Sequence, residues 1–309
     1  MARRVASGPL ARASLLSLLF LMRASASHAG SEGSGRAAPP VSRLLADLSG
    51  KALVVTGSTG GLGREVARCA AEAKAAAVLV CGRNEERGRA VVEEIKGINP
   101  QCDAVFIKAD TACADDCQAM IDMAVQRFGR LDGLVNCAAI CFPRGNLETT
   151  TLEHWENMMR INLTGPFLLT KHAAAAMKKA GNGGSIVNIG SNCAHGGAPF
   201  VMAYSVSKGA LQVLTKNNAA ELRSAGIRVN QINMGWCFTD AENAGQVAEK
   251  GEGWLAEADA SSDMGRILRP IDTAASVIHL LSDASAMVTG AVLDISPDVI
   301  VGMLPTGQG

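Results

Sequence analysis

The chain has one tyrosine, Tyr204, and it stands four residues before Lys208 in Tyr204-Ser205-Val206-Ser207-Lys208. On a helix, that spacing puts a phenol and an ammonium on one face. Upstream, Ser191 follows the β-like run Ile186-Val187-Asn188-Ile189-Gly190. A phenol that gives and takes a proton, an amine that tunes it and a hydroxyl that fixes a substrate oxygen form a workable acid–base set. Alone, each piece is weak: YxxxK is common by chance on helices, and a serine after a strand says little.

A second feature gives the set its meaning. Ala52–Thr56 reads as a buried strand, and it runs into Thr56-Gly57-Ser58-Thr59-Gly60-Gly61-Leu62-Gly63. Glycines there let the backbone turn sharply and approach a pyrophosphate at a helix amino terminus. The candidate cofactor contacts in this turn are Thr56, Gly57, Ser58, Gly61, Leu62 and Gly63. The second strand ends in Cys81-Gly82-Arg83-Asn84. A carboxylate about here would accept from the ribose 2′-hydroxyl of NAD, whereas a guanidinium suits a 2′-phosphate. Arg83 therefore favours NADP(H) over NAD(H). Asp110, just past the third strand, is placed for the adenine edge.

With a dinucleotide present, the acid–base set acquires a reaction. Bringing a phenol from a pKa of about 10 to about 7 takes roughly 4 kcal/mol of preference for phenolate. The Lys208 ammonium and a cationic nicotinamide ring would supply this in a water-poor site. Tyr204 would then exchange a proton with a substrate oxygen while hydride moves to or from the adjacent carbon. Lys208 would also reach the nicotinamide ribose.

These side chains need a scaffold, and the pattern from Leu44 onward supplies one. Short apolar runs alternate with helical stretches: Ala77–Cys81, Ala104–Lys108, Gly133–Asn136, Ser185–Ile189, Ile227–Ile232 and Ala291–Ile295 read as further strands. Between them lie helices, including a long one over Leu152–Lys179, another over Met202–Ser224, and an irregular stretch from Thr239 to Gly265. The expectation is an α/β fold, a Rossmann-like doubly wound parallel sheet of about seven strands with helices on both faces. A single domain over residues 44–309 suffices.

This ordered combination resembles the short-chain dehydrogenase/reductase family over roughly Leu44 to Ile295. Asn136-Cys137-Ala138-Ala139 looks like that family's NNAG segment, and Asn162 matches its helix asparagine that anchors a proton-relay water. Val229-Asn230, then Gly235 and Thr239, resemble the segment whose threonine touches the nicotinamide amide. The resemblance implies a catalytic set of Asn162, Ser191, Tyr204 and Lys208, and adds Asn136, Tyr204, Lys208 and Thr239 to the cofactor contacts. It implies an oxidoreductase acting on a carbonyl/secondary alcohol pair, similar to 3-oxoacyl-carrier-protein reductases, and a homodimer or homotetramer. Departures are Cys137 and Ala139 in the NNAG segment, Met234 before Gly235, and Ile295-Ser296-Pro297-Asp298 at the last strand. The rival reading is a catalytically idle NAD(P)-binding redox sensor or scaffold. Retention of both Tyr204 and Lys208 counts against it. The large apolar residues Phe200, Val201, Trp236, Phe238 and Trp254 suggest an apolar substrate wall.

Composition narrows the alternatives. Basic and acidic residues balance at 29 each, but residues 1–43 hold six arginines and one acid. The body is thus net acidic, with no basic cluster for nucleic acid. Arg3 and Arg4 precede the apolar run Ala13–Met22, and Ala24-Ser25-Ala26 offers a cleavage site. Residues 1–29 read as a targeting peptide, either a mitochondrial or plastid transit peptide or a secretory signal, and residues 30–43 as a flexible linker. No apolar run reaches the ~20 residues of a bilayer span. Nine cysteines without CxxC spacing, and five histidines without HExxH, point to free thiols, mostly in the core, and no metal site.

Overall fold

The computed structural model describes residues 46–297; the targeting-peptide and linker readings, and Asp298, lie outside the described residues. Seven strands form one sheet: β1 (Ala52–Thr56), β2 (Ala77–Gly82), β3 (Asp103–Lys108), β4 (Gly133–Asn136), β5 (Gly184–Ser191), β6 (Ile227–Met234) and β7 (Val292–Ile295). Their order is β3-β2-β1-β4-β5-β6-β7, and every pairing is parallel. The order reverses between β1 and β4, the crevice where such sheets bind ligands.

Alternation along each strand divides the core in two. Leu53 and Val55 of β1 join Val78, Val80, Val135 and Val187 on one face. That face is covered by α1 (Gly61–Glu72), α2 (Glu85–Ile98) and α9 (Pro270–Leu281), through Val66, Ile95 and Val277 among others. Val54 points the other way, with Leu79, Leu134 and Ile186, onto α3 (Ala114–Phe128), α5 (Gly165–Ala180) and α6 (Met202–Leu222). Each fully buried Val, Leu or Ile contributes about 1.5–3 kcal/mol. Burial on both faces is why the strands read as continuous apolar runs rather than alternating ones.

One expectation is refined and another corrected. The long helix over Leu152–Lys179 is α4 (Leu152–Met159), a π-helical turn at Arg160–Thr164, and then α5. The widening coincides with Asn162, whose side chain leaves the helix to bond the loop after β4. The stretch from Thr239 to Gly265 is not irregular; it holds α7 (Asp240–Lys250) and α8 (Trp254–Ser261). Thr239 caps α7 by accepting from the Glu242 amide at 3.2 Å, a start signal that the polar composition of the segment obscures.

Candidate active site

The glycine turn is built as the sequence implies. Gly57 and Gly61 have φ of +65° and +51°, the left-handed region that favours glycine. A Cβ on Gly57 would stand 2.8 Å from Ala138 Cα, so the turn also needs glycine to pass the loop after β4. Helix α1 then starts after Gly60, with no side-chain cap and no acid in its first turn. Its amino terminus is left as a set of orphan N–H donors on a cleft of about 1210 Å3.

At the far end of that cleft, β2 finishes at Gly82. A Cβ there would come within 2.6 Å of Thr59 Cγ2, so a carboxylate-bearing residue would require Thr59 to shift. Arg83 and Arg87 line the edge instead. Arg83 is exposed and stands 3.9 Å from Asp110, which also lines the cleft.

Ser191, Tyr204 and Lys208 meet on the opposite wall of the same cleft. Ser191 ends β5, and its Oγ accepts from the Cys193 amide at 3.2 Å. Lys208 is 3% exposed and donates from Nζ to the Ile189 carbonyl at 2.7 Å, which ties α6 to β5. Its Nζ lies 5.6 Å from the Tyr204 ring centre. Burial pulls the Lys208 ammonium down to about 8. Burial also pushes the Tyr204 phenol up, with Cys141 and Cys193 adding to the rise and the Ser191 hydroxyl opposing it. The lowering of the phenol expected from the sequence is therefore not a property of the protein alone. Desolvation outweighs the neighbouring side chains.

Comparison with known proteins gives these residues a context. The family model described as enoyl-(acyl carrier protein) reductase matches residues 57–296. The chain belongs to the short-chain dehydrogenase/reductase family. An uncharacterized oxidoreductase of Thermotoga maritima is 36% identical over 250 residues, covering 81% of this chain and 97% of that protein. L-fucose dehydrogenase of Oryctolagus cuniculus is 32% identical over 261 residues, covering 84% of this chain and 88% of that one. Among solved structures, a short-chain type dehydrogenase/reductase from Mycobacterium marinum superposes with a TM-score of 0.75 at 32% identity, covering 82% and 96% of the two chains. Levodione reductase superposes at 0.76 with 26% identity, covering 81% and 97%.

As a short-chain dehydrogenase/reductase, the chain is an oxidoreductase acting on CH–OH/C=O groups with a nicotinamide dinucleotide. The residues fit that group. The uncapped, acid-free start of α1 suits a pyrophosphate, and Lys208 and Tyr204 share its cleft. Gly57, Gly61, Leu62, Gly63, Arg83, Asp110 and Thr239 all line the cleft.

Four other expected residues are brought near but do not line it. Thr56 Oγ1 donates to the Val135 carbonyl and accepts from the amides of Cys137 and Ala138, locking β1 to the loop after β4. Ser58 is fully buried, donating to the Val55 carbonyl at 2.6 Å and accepting from the Cys81 amide at 2.9 Å. Asn136 donates to Asn188 and Thr170 inside the core. Asn162 is fully buried and holds both the amide and the carbonyl of Ile140 at 2.9 Å. In each case a short polar side chain satisfies buried backbone or another buried amide. Through these bonds the four residues position the backbone around the cleft.

The substrate wall differs more. Phe200, Val201 and Trp236 line the cleft, but Phe238 and Trp254 do not. Trp254 packs on the rings of Trp236 and Phe238 at 5.8 and 6.0 Å, closing the core under α7 and α8. The sequence reading missed Thr59, Arg87 and three polar wall residues, Arg144, Glu242 and Gln246. The pair Glu242 and Gln246, four apart on a helix that opens with a threonine cap, was the available signal. All nine cysteines are free; Cys137, Cys141 and Cys193 are half-buried on the cleft rather than in the core. Among the described residues, no group of three His, Cys, Asp or Glu is placed to hold a metal, and no helix is long and apolar enough to cross a membrane.

Proposed function

We propose that this chain is an NADP(H)-dependent dehydrogenase/reductase in which Tyr204 exchanges the proton with the substrate oxygen. The observation that carries the reading is the meeting of Ser191, Tyr204 and Lys208 with the Gly57–Gly63 turn on one cavity. When bound, the nicotinamide donates or accepts the hydride at the carbon bearing that oxygen. The side chains do the rest. Ser191 Oγ holds the oxygen in place. In reduction, the Tyr204 phenol gives its proton to the carbonyl oxygen; in oxidation, Tyr204 Oη takes the hydroxyl proton. Lys208, charged below about pH 8, favours the phenolate through space. The elevated phenol of the free protein keeps the proton available for reduction. Asn162 acts through the Ile140 backbone, shaping the loop beneath the ring site.

The preference for NADP(H) is supported by Arg83 and Arg87 at an edge where β2 ends in Gly82 and a carboxylate-bearing side chain would have to displace Thr59. Exposed apolar side chains on α4, α5 and α6 (Leu152, Phe167, Val206 and Val213) support a homodimer or homotetramer paired through these helices. The arginine-rich, acid-poor start of the chain supports delivery to a mitochondrion or plastid. A reductase similar to those acting on 3-oxoacyl carrier protein would use the same chemistry, but the polar wall of Arg144, Glu242 and Gln246 favours another substrate.

The test pairs binding with turnover. NADPH should bind about tenfold or more tighter than NADH by fluorescence titration, as expected for charge-assisted bonds to a phosphate. Tyr204→Phe should keep that binding and lower turnover by about 10^2–10^4-fold. Wild-type turnover in the variant would remove the proton route.

A further inference from the structure

Behind the catalytic wall, the cleft ends in a polar cluster whose bonds are incomplete. Glu242 Oε1 accepts from Trp236 Nε1 at 2.8 Å, Gln246 Nε2 at 2.8 Å and Arg144 Nη2 at 3.4 Å. Glu242 Oε2 takes no hydrogen bond from the described residues. Gln246 is 1% exposed, and its Oε1 is buried with no partner. The Arg144 guanidinium stacks 5.0 Å over the Phe142 ring and reaches Glu249 at 3.1 Å, while its Nε is buried without an acceptor. All three residues line the cavity that Tyr204 lines. Their approach is built in: a Cβ at Gly245 would strike the Phe142 ring, so glycine lets α7 close on the loop carrying Arg144.

A buried acceptor left unpaired costs about 1–3 kcal/mol, and so does a buried donor. An apolar ketone would leave both orphans in place. A ligand that answers them must donate to Gln246 Oε1 and Glu242 Oε2 and accept from Arg144 Nε. A hydroxyl does both at one atom, and two adjacent hydroxyls satisfy the cluster together. The main competitor is an acidic substrate. Arg144 is already shared between Glu242 and Glu249. A carboxylate or phosphate on the substrate would find that guanidinium engaged and would face the Glu242 carboxylate on the same wall.

We propose that this wall selects a neutral substrate with vicinal hydroxyls, a polyol or sugar-like ring, whose reacting CH–OH faces Tyr204 while a neighbouring hydroxyl is held by Gln246, Glu242 and Arg144. In the oxidation, the carbon loses hydride to the oxidised coenzyme, the oxygen loses its proton to Tyr204, and the neighbouring hydroxyl is unchanged. The inference rests on the reading of Tyr204 above and goes beyond it by naming the substrate class.

The experiment compares kcat/KM for cis-cyclohexane-1,2-diol and cyclohexanol with NADP+, and for a neutral aldohexopyranose and its uronic acid. The wild type should prefer the diol and the neutral sugar by about tenfold or more. Gln246→Leu should bring the diol/mono-ol ratio to near one, and Arg144→Lys, which keeps the charge and loses Nε–H, should lower it several-fold. Equal use of diol and mono-ol by the wild type, a preference for the uronic acid, or a ratio unmoved in a folded Gln246→Leu protein would overturn the proposal. Should neither alcohol turn over, the reading of Tyr204 falls separately. The wall is then judged by ligand-observed NMR, where selective diol binding lost in Gln246→Leu supports it and absent selectivity overturns it.

Discussion

Replacing Lys208 by methionine should make the coenzyme-free protein harder to unfold while destroying its activity. Burial lowers the Lys208 ammonium from 10.5 to about 8 in the fold. Multiplied by 1.36 kcal/mol per unit, that shift is about 3 kcal/mol of stability. The sign follows from proton uptake. Between about pH 8 and 10.5 the unfolded chain holds the proton that the folded chain has released, so stability from this group rises with pH across that window. At pH 7 both states are charged and the full burden is present. At pH 10 most of it is gone. Wild type alone would not reveal this, because buried thiols work in the opposite direction. Burial holds Cys69, Cys137, Cys141 and Cys237 at about 12, so their contribution is lost as pH rises above 9. The difference between wild type and Lys208→Met cancels those thiols. Urea unfolding followed by tryptophan fluorescence should show that difference moving by about 2–3 kcal/mol toward wild type between pH 7 and pH 10. The lost bond to the Ile189 carbonyl, 2.7 Å long, offsets part of the absolute gain but little of its pH slope. Turnover should fall by about 10^2–10^4-fold in the same variant. A stability difference that does not move with pH would refute the account of Lys208 as a buried charge held for function.

Three further outcomes follow from single contacts. Arg83→Asp should shift the NADP/NAD ratio of kcat/KM toward NAD by about 100-fold, through loss of the guanidinium and repulsion by a nearby Asp110; an unchanged ratio would remove Arg83 from coenzyme selection. Gly57→Ala combines a left-handed φ with a Cβ 2.8 Å from Ala138 Cα, so it should cost about 2–4 kcal/mol in thermal unfolding and weaken coenzyme binding by titration. Asn162→Ala strands the amide and carbonyl of Ile140, so unfolding should become easier by about 1–3 kcal/mol and the KM for coenzyme should rise; a purely catalytic loss with unchanged stability would contradict its positioning role.

The fold was legible because buried parallel strands advertise themselves. Leu53, Val54 and Val55 all face core, so the run is apolar without interruption and its ends are sharp. The strands β5 and β6 run further than expected, to Ser191 and Met234, because Asn188, Gly190, Asn233 and other polar or small residues there are buried all the same. The π-turn at Arg160–Thr164 leaves no trace in periodicity, since it shifts the helix face by a single residue. In the site, charge and spacing pointed to Tyr204, Lys208 and Arg83, all of which line the cleft. They did not separate residues that line the cleft from those that hold it open. Thr56, Ser58 and Asn136 have ligand-like side chains, but they hydrogen-bond backbone groups and a buried amide of this chain.

Asn136 shows what that second group does. It donates to Asn188 Oδ1 at 2.8 Å, and Asn188 donates to Thr215 Oγ1 at 2.9 Å. Thr215 Oγ1 lies 3.1 Å from Gln231 Oε1, and Gln231 donates to Asn233 Oδ1 at 2.7 Å. Asn233 then donates to Asp294, which also meets His195 at 3.0 Å. The chain of bonds crosses β4, β5, α6, β6 and β7, and only Gly190 leaves room for it, since a Cβ there would lie 2.2 Å from Asn233 Oδ1. Slipping any one element by a residue would bury unpaired amides at about 1–3 kcal/mol each, a stronger constraint on register than apolar packing alone. Ser191 sits one residue beyond Gly190 on β5, and α6 carries Thr215 on the helix that presents Tyr204 and Lys208. The buried amides therefore set the distance between the two halves of the acid–base set, and a proton transfer that works only at hydrogen-bond range depends on residues that never touch the substrate.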